Sequence, residues 1–279
     1  MSLIHWILDI AALLLWVDWR SGRVVALKTG QVTISITNSI RETEKSRFRG
    51  LGSLGALIAV LLLRPFIYSS LGSSWQWTPR INLLVISIPW RTDSLAQLFV
   101  FSFLSFACTL GVLFSWLLFL SGVNAGFPEN DLVHRFIRFQ LGWVNKLPRW
   151  AKLVAPLIVP GLCWLAAAPL LQRFLIIPPP KSPVRYWEQA GVFCVAALLL
   201  WRWLLLLIFG VHFVNLYVYL GTHPFWNYMS QTAVRLLQPL KWLRFGRLDV
   251  SPIAGAVLVF FLAEFLQRWV LKTFQHLPL

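Results

Sequence analysis

Ionisable side chains set in leucine-rich sequence are the first places where this chain could do chemistry. Glu264 lies in an apolar run with Arg268 four residues on, the spacing at which a carboxylate and a guanidinium meet on one helix face. A carboxylate at membrane depth marks a functional site by default, and the competing expectation here is a pair that neutralises itself. Arg64 and Arg202 are also embedded among leucines. Arg64 is expected to snorkel from the outer end of its span, whereas the more central Arg202 needs a partner, for which Glu264 and Asp9 are the candidates. His212 and Asn215, in VHFVNLYVYLG, suit hydrogen bonds between helices. His5, His134, His223 and His276 fall at ends or in loops, so a haem between facing histidines has no evident ligand pair. Cys108, Cys163 and Cys194 stand far apart in apolar runs, without CxxC spacing or a neighbouring histidine cluster, which argues against zinc, disulfide and c-type haem. No nucleophile elbow, phosphate loop or paired carboxylate set appears. These residues point away from an enzyme and call for no cofactor or metal.

Contact chemistry is the second possibility, and it belongs to two basic, aromatic stretches at 128–150 and 224–247. In the later one Phe225, Trp226, Met229, Val234, Leu237 and Leu240 form an apolar side at helical spacing. Arg235, Lys241, Arg244 and Arg247 supply its charge, and Arg135 and Arg138 do so in the earlier one. A helix of this kind lies in the plane of the membrane with its apolar face in the acyl boundary. Pro239 should break the later helix near its end. Next comes Asp249-Val-Ser251-Pro252, a helix start in which Ser251 caps, Pro252 suits the first turn and Asp249 favours the positive dipole end.

The elements that must position these groups follow from composition. The chain has 279 residues, 58% apolar and 13% charged, against about 25% charged in soluble domains. Several apolar runs reach the roughly 18 residues that cross a hydrocarbon core. The expected fold is an all-α polytopic membrane bundle of about six transmembrane helices, with interfacial amphipathic helices between spans. The spans are expected at 3–19, 51–71, 94–122, 153–177, 189–220 and 252–271. The first keeps Asp9 and lacks a small-residue cleavage site, so it reads as a retained span. The fifth would be roughly 48 Å long as a straight helix, so it must tilt, project, or kink near Gly210. Two loops read as extended: VVALKTGQVTISI (24–36), as a β-hairpin, and WTPRINLLVISIPWRTD (77–93).

A net charge of +15 would suggest nucleic acid in a soluble protein. Here the basic residues collect beside apolar spans, so anionic headgroups account for them and no nucleic-acid partner is expected. The stretches 20–49, 123–152 and 221–250 hold seven, five and four Lys and Arg, against seven on the opposite side. That bias places the richer loops in the cytoplasm and both termini in the periplasm. Sixteen Trp, many at span edges, fit an interfacial belt.

The chain also resembles itself. Pro128 and Pro224 are 96 positions apart, as are Pro156 and Pro252, and LLQRF at 170–174 matches FLQRW at 265–269. The expected organisation is an amino-terminal pair of spans with its loop (1–94), a degenerate unit (95–175), a Pro-rich linker (176–188) and a second unit (189–279). The second unit, through His223, Pro224, Phe225, Trp226, Arg235, Leu237, Pro239, Leu240, Asp249, Ser251 and Pro252, resembles the YggT family of integral membrane proteins. That resemblance implies a bacterial or plastid membrane protein without established catalysis, associated with assembly of cytochrome complexes, with division, or with osmotic tolerance. The expected function is a scaffold or assembly factor of a bacterial inner membrane, acting on lipid and on a membrane protein partner or a second copy of itself. The alternatives are a small-ion channel or transporter, and a structural subunit of a larger energy-converting complex.

Overall fold

The computed structural model describes residues 2–29, 36–75, 78–83, 85–126, 131–173, 184–218, 221, 223–245 and 248–275. Its elements are α1 (Ser2–Thr29), α2 (Ile36–Trp75), β1 (Arg80–Leu83) and β2 (Ile86–Pro89), α3 (Leu95–Val123), α4 (Leu132–Leu141), α5 (Arg149–Arg173), α6 (Val184–Ala196), α7 (Arg202–Tyr217), α8 (Pro224–Leu236), β3 (Arg244–Phe245) and β4 (Leu248–Asp249), and α9 (Ser251–Gln275). Short 3-10 segments, Gly142–Lys146, Ala197–Trp201 and Gln238–Leu243, follow α4, α6 and α8. The fold is thus helical, with two small two-stranded sheets.

Five stretches are long and apolar enough to cross a membrane: Leu51–Ser70, Leu95–Val123, Arg149–Arg173, Val184–Tyr217 and Ser251–Gln275. They coincide with the second to sixth expected spans. α1 is helical throughout the first expected span but, carrying Asp9, Asp18 and Arg20, is not among the five. The chain is a multi-pass membrane protein by this measure. The outer faces of α5 and α9 fit that reading, because Ile158, Leu162, Phe261 and Phe265 are exposed and need lipid or protein cover.

Packing divides the chain into two units, Met1–Ile81 with Ser87–Gly111 and Asn82–Ile86 with Val112–Leu279. The division falls within α3, whereas the sequence reading set its first boundary at 94. In the first unit Ala12 of α1, Leu57 and Leu61 of α2 and Phe106 of α3 form the core. Pro65 sits inside α2 and lacks the N–H that would bond the Leu61 carbonyl one turn earlier. Ser102 Oγ of α3 donates to that carbonyl at 2.8 Å. In the second unit Leu117 and Leu120 of α3, Ile137 and Leu141 of α4, Ile208 and Phe209 of α7 and Tyr228, Met229 and Ala233 of α8 pack as one cluster. α5 and α6 approach closely at Gly161, where a Cβ would lie 2.7 Å from the Ala190 carbonyl oxygen. Trp164 stacks on Phe193 beside that crossing, centroids 4.5 Å apart.

One sequence expectation is corrected. Residues 24–29, read as a strand, are the last turns of α1, and 30–35 lie outside the described residues. Alternating β-branched residues over so short a stretch suit either state, and the helix already under way continues through them. The fifth span, expected to tilt, project or kink near Gly210, stays α-helical through Gly210. The regular helix gives way instead at Ala197–Trp201, where 3-10 geometry leaves a carbonyl accessible. Trp116 Nε1 of α3 donates to the Leu200 carbonyl at 2.7 Å, and Trp201 Nε1 donates to Ser115 Oγ at 3.0 Å. Within 77–93, read as extended, Arg80–Leu83 and Ile86–Pro89 are strands β1 and β2.

Candidate lipid and partner interface

α4 begins where the sequence supplies an acceptor. Asp131 Oδ1 takes hydrogen bonds from the amides of Val133 (2.8 Å) and His134 (3.1 Å). It ends at Gly142, whose φ of 57° is open to glycine and whose amide reaches back to the carbonyls of Arg138 and Phe139. α8 has Pro224 in its first turn, and His223 Nδ1 accepts from the Phe225 amide at 3.3 Å. It ends at Leu236, and the following 3-10 segment contains Pro239, the residue expected to break it.

The seam between α4 and α8 is more polar than the sequence suggests. α4 buries His134, Ile137, Gln140 and Leu141, and α8 buries Tyr228, Met229, Thr232 and Ala233. The rings of His134 and Tyr228 lie 6.4 Å apart. Asn124 Nδ2, past the end of α3, donates to Thr232 Oγ1 at 2.8 Å, and Thr232 donates to the Tyr228 carbonyl at 2.7 Å. Lys152 Nζ, from the first turn of α5, donates to Ser121 Oγ (3.0 Å) and Asn145 Oδ1 (2.9 Å). That ammonium sits against the last turn of α3, where the helix dipole favours a cation.

Electrostatics keep His134 and Tyr228 of this seam uncharged. Burial holds His134 below the ordinary imidazole range, with Arg138, Lys152 and Arg235 acting the same way and Asp131 opposing. Burial also pushes the Tyr228 hydroxyl up to about 12. The charge lies outside the seam: Arg135, Arg235 and Lys241 are exposed, Arg138 is half-buried, and Phe225 and Trp226 are half-buried beside them. Trp242, Trp143 and Trp150 are exposed around the same segments. No carboxylate occurs in sequence between Asp131 and Glu188, or between Glu188 and Asp249. The result is a surface of cations and rings that suits anionic headgroups or the acidic face of a protein. The Arg244 side chain and Arg247 lie outside the described residues.

The remaining predicted groups are placed as follows. Glu264 and Arg268 do pair, Arg268 Nε to Glu264 Oε1 at 3.2 Å, on an exposed face. Arg202 pairs with neither expected carboxylate; its guanidinium lies over the rings of Phe260 (4.9 Å) and Trp203 (5.3 Å). Glu264 is engaged by Arg268 and Asp9 by Arg64. Arg64 does not snorkel. It is fully buried, with Nη2 2.7 Å from Asp9 Oδ1, because α1 packs over it and brings a counter-charge. His212 is buried, and Asn215 Nδ2 donates to Ser230 Oγ at 2.9 Å, tying α7 to α8. At the start of α9 the roles shift by two residues: Asp249 Oδ1 accepts from the Ser251 amide at 3.0 Å and from the Ser251 hydroxyl, so Asp249 and not Ser251 is the acceptor. Pro252 is buried in the first turn as expected.

The three cysteines are free thiols, and no metal-ligating cluster occurs among the described residues. Against family models, curated proteins and solved structures, the chain has no match. Sequence reasoning missed Asn124, Lys152 and Thr232, whose polar groups meet only through tertiary packing, and the partners of Arg64. For the latter a signal existed: His5 and Asp9, like Arg64 and Tyr68, are four residues apart and share a helix face.

Proposed function

We propose that this chain is a non-enzymatic scaffold or assembly factor of a bacterial inner membrane. It holds anionic lipid and a membrane protein partner, or a second copy of itself, on the outward side of α4, α8 and their 3-10 extensions. The observation that carries this reading is the exposure of Arg135, Arg235, Lys241 and Trp242 on segments that lack carboxylates and join apolar helices. The apolar, unpacked faces of α5 and α9 supply further surface for a protein neighbour. In this reading α1 is a sixth span, made less costly by the neutralisation of Asp9 by Arg64, and the basic loops face the cytoplasm. The likeness of 189–271 to the YggT pattern, with a matching order of elements in 95–173, is in keeping with a doubled unit of that kind.

Native mass spectrometry after extraction in a gentle detergent tests the reading. Expected is a stoichiometric companion or oligomer with retained anionic lipid, and loss of both in R235E/K241E. A lipid-free monomer, unchanged by that double substitution, would overturn it. Thiol labelling of single cysteines at 143 and 242 from each side of sealed vesicles checks the orientation.

A further inference from the structure

α1, α2 and α3 bring one cluster of polar side chains together inside the first unit. Arg64 is fully buried, and its Nη2 lies 2.7 Å from Asp9 Oδ1 and 3.2 Å from His5 Nδ1. Its Nε donates to the Tyr68 hydroxyl at 3.2 Å, and that hydroxyl lies 2.9 Å from His5 Nδ1. On the other edge of the imidazole, His5 Nε2 lies 3.2 Å from Asp9 Oδ2 and 3.4 Å from Ser105 Oγ. Phe101 packs against the ring, centroids 5.4 Å apart.

These contacts fix where the ring hydrogen sits. A guanidinium only donates, so the nitrogen that faces Arg64 must present its lone pair. Nδ1 is therefore bare and accepts from Arg64 and from the Tyr68 hydroxyl. Nε2 then carries the single hydrogen and donates to Asp9. In this arrangement His5 is neutral and the Asp9 carboxylate balances Arg64. A proton added at Nδ1 would aim an N–H at a guanidinium N–H across 3.2 Å and set a second positive charge beside a buried one. Arg64 and Tyr68 would both lose an acceptor, and the ring would have to leave its seat.

We propose that His5 is a proton-binding site whose occupancy decides whether the amino-terminal end of α1 stays seated on α2 and α3. With Nδ1 bare, α1 is tied here through the imidazole, the Asp9–Arg64 pair and the Ser105 hydroxyl on Asp9; with Nδ1 protonated, the tie through the imidazole is lost. The titratable and charged groups facing His5 are Asp9 from α1 and Arg64 and Tyr68 from α2. α3 presents Ser105 and Phe101, neither of which is charged. The His5 side chain keeps 19% of its surface and lies in the first turn of α1, which begins at Ser2.

The test uses the full chain in lipid nanodiscs with nitrogen-15 histidine, with the His5 resonances identified by their loss in His5→Gln. Near pH 8 the ring should show a bare Nδ1 and a protonated Nε2. On acidification its titration should coincide with roughly tenfold faster amide exchange over residues 3–20, after correction for intrinsic rates, the size of one unit of proton linkage. In H5Q the amide oxygen can accept from Arg64 and the amide nitrogen can donate to Asp9 without titrating, so exchange should stay slow near pH 5. An Nδ1–H tautomer near pH 8, or equal acid-induced exchange in H5Q and the unaltered chain, would overturn the proposal. Should H5Q fail to insert, single replacements of the other four histidines identify the resonances by elimination. Exchange over 3–20 that does not follow the His5 titration would then overturn it.

Discussion

Arg64 and Arg268 make the same bond in opposite settings. Each guanidinium meets a carboxylate, Asp9 at 2.7 Å and Glu264 at 3.2 Å. The first arginine has no exposed surface; the second keeps 78% of its side-chain surface. The first pair joins two helices across 55 residues of sequence, and the second lies along a single helix. A buried charge that loses its partner is left uncompensated, whereas an exposed one is taken up by water or headgroups. The inter-helix pair therefore bears on whether α1 and α2 stay together, and the other is a local feature of the α9 surface.

Four outcomes would sharpen or break that contrast. The largest effect belongs to Arg64→Met, which strands Asp9 against α2; reversible unfolding in mixed micelles should show a loss of about 3–5 kcal/mol. Adding Asp9→Leu should recover much of that loss, and a double substitution as damaging as the single one would refute the charge argument. Gly161→Ala comes next. Its methyl meets the Ala190 carbonyl, and overpacking of about 1–3 kcal/mol is offset by up to about 1 kcal/mol of helix propensity. The net loss should appear in the same unfolding assay. Asn124→Leu removes a neutral buried donor from Thr232 and should cost about 1–2 kcal/mol, less than any broken buried charge. Glu264→Gln should change stability by less than about 1 kcal/mol; a loss comparable to that of Arg64→Met would show that α9 is covered by a partner there.

A pH series separates the neutral seam from the Glu264–Arg268 pair. Because His134 is held below the ordinary imidazole value of 6.5, the unfolded chain takes up its proton first as the pH falls. Stability from this residue is therefore intact above that value and is lost on acidification toward the lower folded value. His134→Gln should flatten that part of the unfolding profile, and an unchanged slope would remove His134 as its cause.

The legible features were those with short-range causes. Glu264 and Arg268 declare their pairing by spacing, Asp249-Val-Ser251-Pro252 marks the start of α9, and the extended reading of 77–93 meets β1 and β2. Apolar runs located the five described spans to within a few residues. What stayed hidden depended on which helices pack together. Asp9 is a possible partner for either arginine among leucines, and only the weak signal of the His5/Asp9 and Arg64/Tyr68 spacings favours Arg64 over Arg202. Arg202 in turn rests on aromatic rings, a contact without a spacing signature. The polar seam of α4 and α8 was obscured because His134, Thr232 and Gln140 look like solvent-facing residues until a neighbour covers them.

The 3-10 segment between α6 and α7 has a geometric consequence for the longest span. Each of its five residues turns the chain by about 120° instead of the 100° of an α-helix. Across the segment the side-chain pattern slips by roughly 100°, more than a quarter of a revolution. One continuous rod thereby offers one azimuth to α5 through α6 and another to α8 through α7. Deleting a single residue there would turn α7 by about 120° relative to α6 and misalign one set of neighbours relative to the other.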